Sequence, residues 1–294
     1  MKCLEDLPKD IYALFKSGKQ FSEGSIQEFA TQLARHISNR VTSESGSSTL
    51  RMSNLGTNCD RKLWYSIRTP ELAEPLPPEA HMKFLFGDIL EELILFLAKE
   101  AGHDVRDQQR EVTLHGVKGH IDGVVDGVLV DVKSASSYSF KKFKDGITRS
   151  TDAFGYLTQL GGYREALRDT DGVQEGDGVQ GEVRGRKSDS ERAAFIAVDK
   201  QLGHICVDVH DKDLDQDYER LIERKRAVLD SNKPPDRSFD AIPDGKSGNY
   251  KLGVECSYCP FKRSCWSGLR TFIYSDGPRH LVRVAREPNV PEAK

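Results

Sequence analysis

The strongest constraint in this chain is the stretch KGHIDGVVDGVLVDVKS, Lys118 to Ser134, where two β-branched runs flank Asp126-Gly127. Asp-Gly between such runs is a two-residue hairpin signal, because both turn positions need a positive φ. The turn fixes the register: Val125 faces Val128, and each step outward keeps the same sum of positions. Asp122 then falls opposite Asp131. Side chains two apart share a face, so Lys133 projects beside Asp131 with His120 across from it. Ile121, Gly123, Val125, Val128, Val130 and Val132 line the opposite face.

Two carboxylates about 5 Å apart repel by roughly 3 kcal/mol at an effective dielectric near 20, so a compensating charge is expected. A divalent cation supplies it best, since Mg²⁺ takes one or two carboxylates together with water and phosphate oxygens. The alternative is a solvated outer face whose charges only keep the hairpin soluble.

Helical periodicity dominates the first 40 or so residues, where Ile26, Phe29, Leu33, Ile37 and Val41 recur behind Ser25 as a plausible N-cap. After a loop at Thr42 to Ser48 come a short helix around CDRKLWYSI and a Pro-rich turn from Pro70 to Pro78. A second helix is predicted from about Glu79 to Ala101, buried on nearly every side apart from Gly87, Asp88, Glu91 and Glu92. The strands predicted next are REVTLH, GHIDGVV and VLVDVK. Helices follow at Ser137 to Lys144 and Asp152 to Leu167. The polar, glycine-rich run from 169 to 192 reads as an exposed loop. Strands AAFIAVD and HICVDVH, a helix from Leu214 to Leu229 and an irregular segment from Asp230 to Gly253 complete the order.

The chain has 294 residues, 37% of them hydrophobic, and a net charge of −3, which argues against a generally basic, unselective nucleic-acid coat. The longest apolar run, LILFLA at Leu93 to Ala98, is far short of a membrane span, and the acidic N-terminus lacks a signal-peptide core. A cytoplasmic protein with no membrane partner is expected. No G-x-x-x-x-G-K-[ST] occurs, so ATP-driven unwinding would need a partner.

Six cysteines are unevenly placed. Cys256, Cys259 and Cys265 form C-x2-C-x5-C, whereas Cys3, Cys59 and Cys206 are scattered. In a reducing compartment this spacing points to metal rather than disulfides. Structural zinc and an iron-sulfur cluster both accept three thiolates and a remote fourth ligand, and spacing alone leaves both open.

GHIDGVVDGVLVDVKSAS resembles the core of the PD-(D/E)XK nuclease superfamily, with Asp122 as the first acid and Asp131-Val132-Lys133 as the acid-x-lysine element. QLGGY resembles the Gln-x-x-x-Tyr element of its RecB-like branch, through Gln159 and Tyr163. FGDILEE resembles the branch's first helix, with Glu91 where His is commoner and Glu92 as the fallback.

The resemblance implies an α/β fold, restriction-endonuclease-like, with a central mixed sheet flanked by helices and an iron-sulfur region joining the N- and C-terminal parts. Its divisions would be 1–54 as an N-terminal helical region, 55–78 and 254–270 as the cluster region, 79–253 as the nuclease core, and 271–294 as a C-terminal tail. It implies a [4Fe-4S] cluster on Cys59, Cys256, Cys259 and Cys265, as in CRISPR-associated single-strand exonucleases and AddAB-type nuclease domains. It further implies a Mg²⁺- or Mn²⁺-dependent deoxyribonuclease whose metal is held by Asp122, Asp131, the Val132 carbonyl and Glu91. Lys133 would orient or deprotonate the attacking water, while Gln159 and Tyr163 steady the lysine. The expected substrate is mainly single-stranded DNA, degraded from the 5′ end in recombination, repair or spacer acquisition, in a cellular or phage setting, alongside a helicase or integrase partner.

Arg61, Lys141, Lys142 and Lys144 are the candidate contacts to the phosphate backbone, and Tyr138, Phe140 and Phe143 could stack on bases. For the two phenylalanines a place in the core of an amphipathic helix is the favoured alternative. The competing functional class is a non-catalytic iron-sulfur DNA-binding module serving such a partner.

Overall fold

The computed structural model describes residues 2–42, 49–172 and 191–293. The chain divides into two units. One is built from the described residues of 1–46, 51–56 and 77–219, the other from those of 47–50, 57–76 and 220–294.

The first unit opens with α1 (Leu7–Ser17) and α2 (Glu23–Thr42). Ser22 caps α2, its hydroxyl accepting the Ser25 N–H at 3.1 Å, so the cap lies one turn earlier than the Ser25 expected from sequence. The short helix α3 (Met52–Leu55) follows, and the long α5 (Pro78–Glu100) comes after α4 (Asp60–Arg68) of the other unit. Burial of α5 is confined to its second half, at Ile94, Leu95, Leu97 and Ala98. Met82, Phe84 and Phe86 are exposed, so the expectation of a helix buried on nearly every side fails for its first half.

Five strands form the central sheet in the order β1 (Val105–Arg106), β4 (Gly123–Val125), β5 (Val128–Ala135), β6 (Ala193–Asp199), β7 (Ile205–His210). The sheet is mixed, since β5 and β6 run parallel and the other pairs antiparallel. The parallel pair is linked through α6 (Ser137–Lys144) and α7 (Tyr156–Gly172). The turn has the backbone its sequence demands: Asp126 has φ 50° and Gly127 φ 86°, and Val125 pairs with Val128.

The two faces of β5 serve different purposes. Val128, Val130 and Val132 join Ala194, Ile196 and Val198 against α1 and the second half of α5 in one apolar core. Leu129, Asp131 and Lys133 face the other way, in register with Ala193, Phe195 and Ala197. Asp131 is only 4% exposed, which excludes the solvated-face alternative.

One expected strand is two. GHIDGVV breaks at Ile121-Asp122: β3 (Val117–His120) pairs with β2 (Glu111–Leu114) in a separate two-stranded sheet, and only Gly123 to Val125 joins β5. His120 therefore pairs with Glu111 and is exposed, not across from Lys133. The core of the loop expected at 169–192 lies outside the described residues, while α7 runs on to Gly172. The helix expected from Leu214 begins at Tyr218, after a short 3-10 turn over Lys212–Leu214.

The second unit holds α4, most of α8 (Tyr218–Asp230), and an antiparallel sheet ordered β12-β10-β11-β9-β8, from β8 (Ile242–Pro243), β9 (Tyr250–Lys251), β10 (Arg270–Tyr274), β11 (Gly277–Arg283) and β12 (Glu292–Ala293). The stretch expected as an irregular segment and a tail thus supplies a sheet. Thr271, Phe272 and Leu281 are buried in it, two neighbours on β10 and a single position on β11, so no period-2 alternation marks these strands among their charges. Between these strands lie the short helices α9 (Val254–Ser257) and α10 (Lys262–Cys265). Among the described residues no helix is long and apolar enough to cross a membrane.

Candidate active site

Where β4 stops, β5 runs on, and its next amide on that side would lack a partner. The Asp122 carboxylate fills the place: its Oδ2 accepts the Val132 N–H at 2.7 Å. Strand alternation turns Asp131 to the face opposite Val132, where its Oδ2 meets Lys133 Nζ at 2.5 Å. The ammonium also lies over the Tyr156 ring, 4.6 Å from its centroid. Tyr156 opens α7, where Asp152 accepts the N–H groups of Phe154, Gly155 and Leu157 and fixes the entry of the helix.

Glu91 reaches the same acids from α5. Burial pushes its carboxyl up to about 7, against a 2.6 Å hydrogen bond from Gln109, with the Asp131 and Asp88 charges adding to the rise. Glu92 turns instead to His36 at 3.6 Å, so of the two it is Glu91 that faces the site. Asp122 is raised well above the usual carboxylate range by burial first, then by Asp131 and Glu91. Burial also works against the charged form of Lys133, but the Asp131 and Asp122 carboxylates outweigh it and hold the lysine protonated.

Gln159 and Tyr163 share one face of α7, Gln159 Nε2 donating to the phenol oxygen at 3.4 Å. Tyr163 packs where Gly119 leaves room: a Cβ there would come within 2.6 Å of its ring. Burial pushes the phenol up to about 12, with Asp131 and Asp122 contributing. Asp122 and Glu91 open onto a cleft walled by His36, Asn39 and Arg40 of α2, with Arg40 forked onto Asp88 at 2.7 and 2.9 Å.

The donors are hard carboxylate oxygens and a strand carbonyl, which suit Mg²⁺ or Mn²⁺. Among the described residues no three acids, histidines or cysteines converge closely enough to ligate one ion, Asp131 being drawn to Lys133. Tyr156, Gln109 and Arg40 are neighbours that sequence reasoning missed. Tyr156 had a signal, since it lies one helical turn before Gln159 in the helix expected from Asp152.

The candidate phosphate contacts disperse. Phe140 and Phe143 are core residues and Tyr138 is exposed. Lys141 pairs with Asp145 at 2.5 Å, Lys142 donates to the Thr151 carbonyl, and Lys144 is exposed. Arg61, in the second unit, donates to the Pro235 carbonyl at 2.6 Å and lies over the Tyr65 ring, a structural anchor rather than a free cation.

In that second unit Cys59, Cys256, Cys259 and Cys265 line one cavity together with Tyr65, Phe261 and Trp266. Cys59 caps α4, its sulfur accepting the Lys62 N–H at 3.3 Å. Burial pushes the Cys256 thiol up to about 11, and the other three sulfurs add to the rise. Cys3 and Cys206 lie in the first unit and take no part.

Fold and site together define an α/β protein with paired acids and a lysine at the strand break of a mixed sheet. The chain belongs to the PD-(D/E)XK nuclease superfamily, whose family model matches residues 29–266. Members of that superfamily generally use divalent metal ions. Two solved structures are remotely similar. The crystal structure of SSO0001 is 17% identical, with 82% of this chain and 96% of that one covered and a TM-score of 0.42. LHK-Exo in complex with dAMP is 16% identical, covering 62% and 84%, with a TM-score of 0.36. No curated protein sequence matches the chain significantly.

Proposed function

We propose that this chain is a metal-dependent deoxyribonuclease that degrades single-stranded DNA from an end, in the 5′-to-3′ direction that the RecB-like resemblance implies. The observation that carries the reading is the Asp131–Lys133 ion pair beside Asp122, set in the sequence pattern of the family, with Asp122 and Glu91 lining a cleft. Asp122, Asp131, Glu91 and the Val132 carbonyl would hold Mg²⁺ or Mn²⁺. Bound there, the ion would stabilise the negative charge that develops on the phosphate. Lys133, protonated in the resting protein, donates toward the phosphate or its attacking water and offsets the same charge. Tyr156 keeps the ammonium in place, and Gln159 with Tyr163 braces the strand break from α7.

The four cysteines support a second centre. Soft thiolates lining one cavity suit zinc or an iron-sulfur cluster. Cys59 together with Cys256, Cys259 and Cys265 around one space is the set of four that the family resemblance assigns to an iron-sulfur cluster. We assign them to a [4Fe-4S] cluster that organises the second unit. End-labelled single-stranded DNA incubated with Mg²⁺ or Mn²⁺ tests the catalytic reading: stepwise shortening is expected, and persistent inactivity, or activity undiminished in Lys133→Ala, overturns it in favour of a binding module.

A further inference from the structure

The chain's modest charge conceals a division. Residues 57–76 and 220–294 carry 18 Lys and Arg against 12 Asp and Glu, a net +6, while the remainder carries 25 against 34, a net −9. The second unit is therefore the part of the molecule to which a polyanion is drawn.

Four of its cations, Lys246, Lys251, Arg279 and Arg286, line an open polar cleft, beside Asp244 and Glu287, formed by the loop 244–249, the face of β9 to β11 and the segment 286–289. The loop is firmly built. Asn249, 3% exposed, accepts the N–H groups of Ala285 and Arg286 at 2.7 and 2.8 Å and donates to the Arg286 carbonyl at 2.8 Å. Gly245 and Gly248, at φ 63° and 80°, take the left-handed turns that this path requires. Buried Asp244 binds Lys251 at 3.1 Å and Arg279 at 3.3 Å, and Arg270 occupies Glu287. Lys246 and Arg286 are left with no carboxylate partner among the described residues. Arg279 lies 4.1 Å over the ring of Tyr274, which also lines the cleft.

We propose that this cleft docks the phosphate backbone of a single-stranded DNA segment, a binding site separate from the acids of the first unit. The inference takes its ligand class from the nuclease reading above. Several spaced cations beside an aromatic ring match a strand that offers a phosphate at every step and bare base faces. A small anion would call instead for buried donors converging on one point.

The test is binding of 5′-fluorescein-labelled dT20 to the full chain in EDTA, where no hydrolysis occurs, followed by anisotropy across a salt series. For Lys246→Gln with Arg286→Gln we expect roughly tenfold weaker binding and a salt slope shallower by about 1.4, the value for two lost phosphate contacts on a single strand. Lys200→Gln with Lys212→Gln, the same charge change on exposed sites of the first unit, should leave the slope unchanged. Equal affinity and slope in the cleft variant, equal loss in the control pair, or competition by polyglutamate as strong as by unlabelled dT20 would each overturn the proposal. Hydrolysis of the p-nitrophenyl ester of thymidine 5′-monophosphate with Mn²⁺ keeps the two readings apart. It should survive in the cleft variant and vanish in Asp131→Asn, which should still bind dT20. Lost dT20 binding in the cleft variant with no hydrolysis by the unaltered chain would retain the cleft and remove the nuclease.

Discussion

Asp122 Oδ2 accepts the backbone N–H of Val132 at 2.7 Å, so a catalytic candidate doubles as a rung of the sheet where β4 has ended. The surrounding charge is unbalanced, with Glu91, Asp122 and Asp131 facing one ammonium, Lys133. Asp122→Asn keeps an oxygen for Val132 and removes one repelling charge. In metal-free protein we expect it to raise stability by about 1 kcal/mol, while nuclease activity falls roughly 10²-fold or more. Lys133→Met leaves Asp131 buried and unpaired and should cost about 3–5 kcal/mol. Thermal melts in EDTA beside the DNA assay check both, and an Asp122→Asn protein less stable than the original would refute the repulsion.

Burial of these acids, with their mutual repulsion adding to it, sets a pH dependence. Glu91 titrates near 7 in the folded chain and near its ordinary 4.5 when unfolded, so the folded state binds the proton more tightly. Stability is then full at low pH, falls as pH rises from about 4.5 through about 7, and is lower by up to about 3 kcal/mol above that. Denaturant unfolding at pH 5 and pH 8 in EDTA should show this fall. Glu91→Gln should make the fall smaller, leaving the part that Asp122 contributes, and Mn²⁺ should reduce it by supplying the missing positive charge.

Much of this site was legible because the Asp126-Gly127 turn carries its own geometry. Both residues take positive φ, and the register they impose holds as far as Gly123 and Val130. What followed was not legible, since a strand's end depends on what else its backbone can pair with. Residues 117–120 find β2, which draws His120 away to Glu111. The roles of Gln109 and Arg40 depend on how α2 and the loop before β2 fold over α5, and long-range placement of this kind leaves no periodic trace. The second sheet was missed for a related reason: its strands are short and edged with charge, and their buried positions, Thr271-Phe272 and Leu281, do not alternate with polar ones.

Tyr156 offers a test of how Lys133 is held. Its ring lies under the ammonium, a contact worth about 0.5–2 kcal/mol when partly desolvated. Tyr156→Phe keeps that face and should retain activity within about twofold. Tyr156→Leu should lower kcat about tenfold with little change in KM, because it would loosen the lysine proposed to act on the reacting phosphate rather than a group proposed to bind the strand. Equal losses in the two variants would assign the role to the phenol hydroxyl instead.

The cysteines separate by unit, and so should their variants. Cys59, Cys256, Cys259 and Cys265 line one cavity, whereas Cys206 is half-buried on β7 of the other unit. Protein prepared without oxygen should be brown, with broad absorbance near roughly 400 nm and about four irons per chain. Cys259→Ala should lose most of that colour and lower the melting temperature, since the proposed cluster would tie α4 to the turns around α9 and α10, and ligand loss would remove binding energy that is also folding energy. Cys206→Ala should keep colour and iron content and cost only the small packing loss of a half-buried thiol. Equal iron in Cys259→Ala and the unaltered chain, or colourless protein carrying one zinc per chain, would overturn the cluster assignment while leaving the Asp131–Lys133 site untouched.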